Sequence, residues 1–108
     1  MVGQARRVVW TRQARTILDE AVGHVAEESL EAALRLLSEA LDTAGSLATL
    51  SERGRRVPEV DSPDIREVFV QSYRLIYEVQ RTEVQVLAFL HRARDFETWQ
   101  RGTSGKAG

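Results

Sequence analysis

The chain has no cysteine. A disulfide framework, a thiolate metal site and a cysteine nucleophile are excluded, while redox compartment stays undetermined. Histidine is scarce: the two copies, His24 and His91, have no ligand spacing, so neither a metal nor a cofactor is expected. No run approaches the ~18 consecutive apolar residues of a membrane span, and the start Met-Val-Gly-Gln-Ala-Arg-Arg lacks the apolar stretch of a signal peptide. The expectation is a protein of its host's cytoplasm with no membrane association. Nor is there an excess of one charge. Fifteen Lys and Arg against 16 Asp and Glu give a formal net charge of −1, which removes any global electrostatic case for nucleic-acid binding and leaves only local patches. Paired carboxylates, a phosphate-binding glycine loop and a Ser-His-Asp arrangement are all absent as recognisable motifs.

What the chain does have is length for one core and a dense apolar stretch near its end. At 108 residues it suits a single domain, which at this size buries about 60 to 70% of its unfolded surface. Residues 1–102 read as that domain, and the small, polar residues 103–108 as a disordered tail. From Ile65 to His91 run three segments rich in Val, Ile, Phe, Tyr and Leu, broken only at Gln71-Ser72 and Arg81-Thr82. They read as a three-stranded antiparallel meander with tight turns. Alternation sorts the side chains into two faces. Face one collects Val68, Val70, Tyr73, Leu75, Tyr77, Val79, Val84, Val86, Ala88 and Leu90, with Arg66 as its one charge. Face two mixes charges with large apolar groups: Ile65, Glu67, Phe69, Arg74, Ile76, Glu78, Gln85, Leu87, Phe89 and His91. A merely solvated surface has no need of that blend, so face two is where function is sought.

Upstream, Ala5 to Trp10 is a short apolar run that reads as a further strand of unassigned pairing, ended by Thr11 as a helix N-cap. Ala14, Ile17, Leu18, Ala21, Val22 and Val25 follow the spacing of one helical face. After a second N-cap, Ser29, the stripe Leu30, Ala33, Leu34, Leu37, Leu41, Ala44 and Leu47 marks a second helix. So short a connection makes a helical hairpin, whose apolar stripes are expected to cover face one. Gly45, costing up to about 1 kcal/mol against Ala inside a helix, is the point where that helix is expected to fray. Leu50 to Asp64, with Gly54, Pro58 and Pro63, reads as an irregular, exposed linker. Beyond the meander, Arg92 to Arg101 reads as a short helix whose Phe96 and Trp99 share a face.

Trp10 to Ala14, Gly54-Arg55-Arg56-Val57-Pro58-Glu59, Arg66-Glu67-Val68, Tyr73-Arg74-Leu75-Ile76-Tyr77 and His91-Arg92-Ala93-Arg94 stand in one order over residues 7–97. In that order the chain resembles the RelE/ParE family of bacterial toxins, the plasmid-stabilisation proteins of type II toxin-antitoxin modules. The resemblance implies an α+β fold, β-α-α-β-β-β, with the helical hairpin packed on one face of a four-stranded, mainly antiparallel sheet. Two activities share it: RelE-like members cleave messenger RNA on the ribosome, and ParE-like members poison DNA gyrase. In both, an antitoxin's C-terminal segment wraps the toxin, forming a hetero-oligomer.

The ribonuclease branch uses basic residues on its second strand, an Arg on the third and an Arg after the fourth, because cleavage builds charge on a phosphate. By resemblance the later two are Arg74 and Arg94, with His91 a candidate for proton transfer. The second-strand positions fall on Ile65 and Glu67, neither basic, and Glu67 is placed to pair with Arg74. The chain is therefore read as ParE-like, a gyrase inhibitor, against a messenger-RNA interferase or a copy kept only as an antitoxin-bound regulator. For His91 the alternative to catalysis is a strand-end residue bonding locally; His24 reads as structural or solvated. Phe69, Ile76, Leu87 and Phe89 are either covered from within the chain by Phe96 and Trp99 or bound by a partner; the partner-binding candidates are these four together with Arg94, Phe96 and Trp99. Arg53, Arg55 and Arg56 are candidate contacts for nucleic acid or an acidic partner, although basic runs in loops are commonly just solvated.

Overall fold

In the computed structural model, which describes residues 5–92, the chain begins with strand β1 (Arg7–Trp10) and turns at once into helix α1 (Arg12–Ala26). The Thr11 hydroxyl accepts from the Ala14 amide at 3.1 Å, satisfying one of the helix's open donors. Ser29 does the same for Ala32 at 3.0 Å and starts α2 (Leu30–Ser46). Both caps stand where the sequence puts them. With only Glu27 to Ser29 between the helices, they close into a hairpin that packs on the sheet through α1 against β5 and α2 against β3. The helix runs through Gly45 and stops at Leu47.

The sheet holds β2 (Arg55–Arg56), β3 (Ile65–Val70), β4 (Tyr73–Val79) and β5 (Glu83–His91) besides β1, in the order β1-β5-β4-β3-β2. Its meander is antiparallel, with Val70 facing Tyr73 across Gln71-Ser72 and Val79 facing Val84 across Arg81-Thr82. Gln71 takes a left-handed φ of 54°, which the two-residue turn imposes and only glycine adopts freely. The first strand pairs in parallel with β5. A fifth strand extends the four expected: the two-residue β2 sits at the edge beside β3, with Arg55 opposite Glu67 and Arg56 opposite Arg66. Two residues give no alternation from which to foresee a strand.

Three expectations need correction. The first concerns faces. Val68, Val70, Leu75, Tyr77, Val84 and Val86 line the helical side as expected, but between Tyr77↔Val86 and Ile76↔Ala88 the register slips by one residue, leaving Leu87 as a β-bulge. Beyond it every side chain of β5 changes side. Phe89 enters the core, stacked on Tyr73 at 4.7 Å, while Ala88 and Leu90 go to the other face beside Ile76. His91 lies with Tyr73, edge-on at 5.8 Å. The second concerns α2, which buries Ala33, Leu36, Ala40, Ala44 and Leu47 and leaves Leu30, Leu34 and Leu41 exposed at 66, 57 and 47%. Small alanines let the helix lie close to the sheet, and the leucine row turns outward. The third concerns the linker. Ser51, Gly54 and Val57 are buried, and Val57 with Val60 and Ile65 covers Ile76, Ala88 and Leu90 in a second apolar cluster. The helix expected over 92–101, the tail 103–108, and with them Arg94, Phe96 and Trp99, lie outside the described residues.

Candidate partner-binding face

The second face of the sheet is built around a tyrosine that belongs to the first. Tyr77 is wholly buried under the helices, yet its hydroxyl donates to the Ser51 carbonyl at 2.8 Å and accepts from the Gly54 amide at 3.0 Å. Burial pushes its phenol above the usual range, opposed by the Gly54 hydrogen bond and by nearby arginines. These bonds fix the segment from Ser51 to Gly54 against the sheet edge. Gly54 must be glycine, because a Cβ there would stand 2.5 Å from the Glu67 carbonyl oxygen and 2.6 Å from the Tyr77 hydroxyl. Arg66 closes the corner by donating to the Gly54 carbonyl at 2.8 Å.

Anchored in this way, the segment lays Arg55 and Glu59 over the middle of face two. The Glu67 side chain is fully buried and accepts from Arg74 Nε at 2.7 Å through one oxygen and from Arg55 Nε through the other. Arg74, its side chain 7% exposed, also donates to both oxygens of Glu59, at 3.0 and 3.3 Å. Burial works against the Arg74 charge, but its bonds to Glu59 and Glu67 outweigh that and raise its pKa. The Arg74 hydrogen bond correspondingly holds the Glu59 carboxyl below its ordinary value of 4.5. Two cations and two carboxylates thus meet in one ion-pair network, in which the buried Glu67 and Arg74 charges are each matched. A buried charge is tolerated only when paired in this way.

The expected ion pair between Glu67 and Arg74 is present, and Glu59 doubles it. Arg74 and His91 are not brought together: Arg74 pairs with Leu90 and His91 with Tyr73, which puts them on opposite faces. Of the apolar patch expected on face two, Ile76 and Phe89 are buried, Phe89 on the other side, while Leu87 is half-buried at the bulge. Phe69 alone is open, at 44%. Sequence reasoning missed Glu59 and Arg92. Glu59 lies in a stretch without periodicity, and nothing in its neighbours marks it as an ion-pair partner. Arg92 follows the last strand, and its Cζ lies 4.6 Å from the Phe69 ring centroid, with that of Arg55 at 5.5 Å. Among the described residues no cluster of His, Asp or Glu could hold a metal, and no helix is long and apolar enough to cross a membrane.

Three comparisons bear on identity. No curated protein sequence matches the chain. Among solved structures, a chain of the chromosomal ParDE toxin-antitoxin system from P. aeruginosa superposes with a TM-score of 0.67, covering 82% of this chain and 98% of that one. At 22% identity that is a likeness of fold. The profile of the family described as the ParE toxin of the type II toxin-antitoxin system parDE matches residues 8–96, spanning every strand and helix from Val8 onward. The chain belongs to the ParE toxin family of type II toxin-antitoxin systems.

Proposed function

We propose that this toxin arrests growth by binding DNA gyrase, as a protein-protein inhibitor without chemistry of its own, and that a cognate antitoxin silences it. One observation carries the reading: the cation best placed to meet a phosphate, Arg74, is held between Glu59 and Glu67. Phosphoryl-transfer catalysis needs donors and positive charge aimed at the developing negative charge. Here those donors are already spent on carboxylates, and a phosphate would approach Glu59. The placement of His91 on the opposite face adds to this, since general acid and phosphate clamp must meet at one reacting centre.

Apolar surface supports a protein partner. Leu30, Leu34 and Leu41 form an exposed row along α2, of the kind that marks interaction sites when contiguous. The alternative target, ribosome-bound messenger RNA, would require Arg74 to leave both carboxylates. Induced expression in a bacterium separates the two. Filamentation with DNA damage is the expected outcome; immediate arrest of translation with cleaved messenger RNA would replace gyrase by the RNA target.

A further inference from the structure

We propose that Phe69, with Arg55 and Arg92 against its ring, is the point at which an acidic segment of the cognate antitoxin docks, an inference that rests on the toxin-antitoxin reading above. Phe69 is an anomaly in its strand. Val68 and Val70 on either side are buried, whereas the phenyl ring is 44% exposed on a face whose other large apolar groups are covered. Two guanidiniums lie against it, that of Arg55 from β2 at 5.5 Å and that of Arg92, the residue after β5, at 4.6 Å, so groups distant in sequence meet at one ring.

The chemistry of this cluster selects its ligand. An aromatic ring is negative on its faces and positive at its edge. With cations drawn to the faces, what the cluster offers to solvent is positive edge and guanidinium forks, a combination that suits a carboxylate. Arg55 spends its Nε on Glu67 but remains 61% exposed, and Arg92 makes no ion pair among the described residues. A nucleic-acid backbone fits poorly. Its evenly spaced phosphates would run from this cluster onto Glu59, which stands on the same face with 43% of its side chain exposed. A peptide can set carboxylates singly, over Arg92 and Arg55, and keep them clear of Glu59. Interface energy concentrates on buried aromatic and arginine anchors of this type.

The test uses the purified chain and the protein encoded beside it, with binding measured by calorimetry at low and high salt. Phe69→Ala and Arg92→Gln are each expected to weaken binding about ten-fold or more, and Arg92→Gln also to flatten the salt dependence. Arg7→Gln, on the opposite sheet edge and 81% exposed, should leave both unchanged. Thermal unfolding of each variant guards against misfolding, and Arg92→Gln, at an exposed strand end, keeps the test decisive should Phe69→Ala fail to fold. Affinities of Phe69→Ala and Arg92→Gln within two-fold of the unmodified chain would overturn the docking site while leaving the toxin reading intact. An oligouridine that binds the chain and is lost with Arg92→Gln, while the neighbouring protein still binds that variant, would reassign the cluster to nucleic acid. If the unmodified chain neither binds that protein nor arrests growth, both readings fall together.

Discussion

Tyr77→Phe removes a single oxygen, and the structure says what that oxygen does. The ring remains in the core against the same neighbours, so no cavity larger than the hydroxyl opens. The Ser51 carbonyl loses its 2.8 Å donor and the Gly54 amide its 3.0 Å acceptor. Both of these residues are buried, with Ser51 at 5% exposure, so water restores these bonds only if the segment lifts. A buried group left unsatisfied costs about 1 to 3 kcal/mol, and partial relaxation of the two gives an expected loss of about 2 to 4 kcal/mol. That is a large part of the ~5 to 15 kcal/mol that holds a domain folded. Urea denaturation reads the loss, and amide hydrogen exchange should show Gly54 and its neighbours unprotected well before the strands. Tyr77→Ala, which also empties the ring's volume, should cost about 3 to 5 kcal/mol. A Tyr77→Phe midpoint equal to that of the unmodified protein would refute the claim that this hydroxyl holds the segment carrying Arg55 and Glu59 to the sheet.

Other outcomes follow from single contacts. Gly54→Ala should destabilise by about 2 kcal/mol or more in the same denaturation assay, since its Cβ would meet backbone at 2.5 Å. Gln71→Gly should do the reverse, raising stability by up to about 1 kcal/mol, because the left-handed φ of 54° costs a non-glycine residue and the side chain lost makes only an exposed bond to Glu39. Glu59 is held below 4.5 in the folded chain, so it contributes stability above that value and loses it as pH falls through the lower folded value; Glu59→Gln should remove part of the acid-side slope of a pH series of unfolding midpoints. Leu34→Ser, at 57% exposure, should lower dye binding and self-association with a midpoint shift within about 0.5 kcal/mol.

Much of this fold was legible because its signals are local and periodic. The two N-caps, the faces of β3 and β4 and the α1 stripe all follow from residue types at fixed spacing. The bulge at Leu87 was not, because an extra residue leaves the sequence alternation untouched and changes only which partner each residue meets. The α2 stripe misled for another reason: leucine outranks alanine as a sign of burial, and here close helix-sheet packing buried the alanines. At the site, Glu67 and Arg74 were visible as residues of one face on neighbouring strands. Glu59 and Arg92 reach it from a loop and from a strand end, and only the tertiary fold brings them there.

The burial of Glu67 rules out charge reversal at this position as a test of the mechanism. Glu67→Lys would place a third cation, unpaired, beside Arg74 and Arg55 in a buried site, so loss of folding would mask any gain of activity. The direct measurement is therefore made on the unmodified protein, assayed in parallel for inhibition of gyrase supercoiling and for cleavage of messenger RNA in a translating extract. Inhibited supercoiling with intact messenger RNA is the predicted result; cut messenger RNA with gyrase untouched would contradict it and make Arg74, released from Glu59 and Glu67, the residue to pursue.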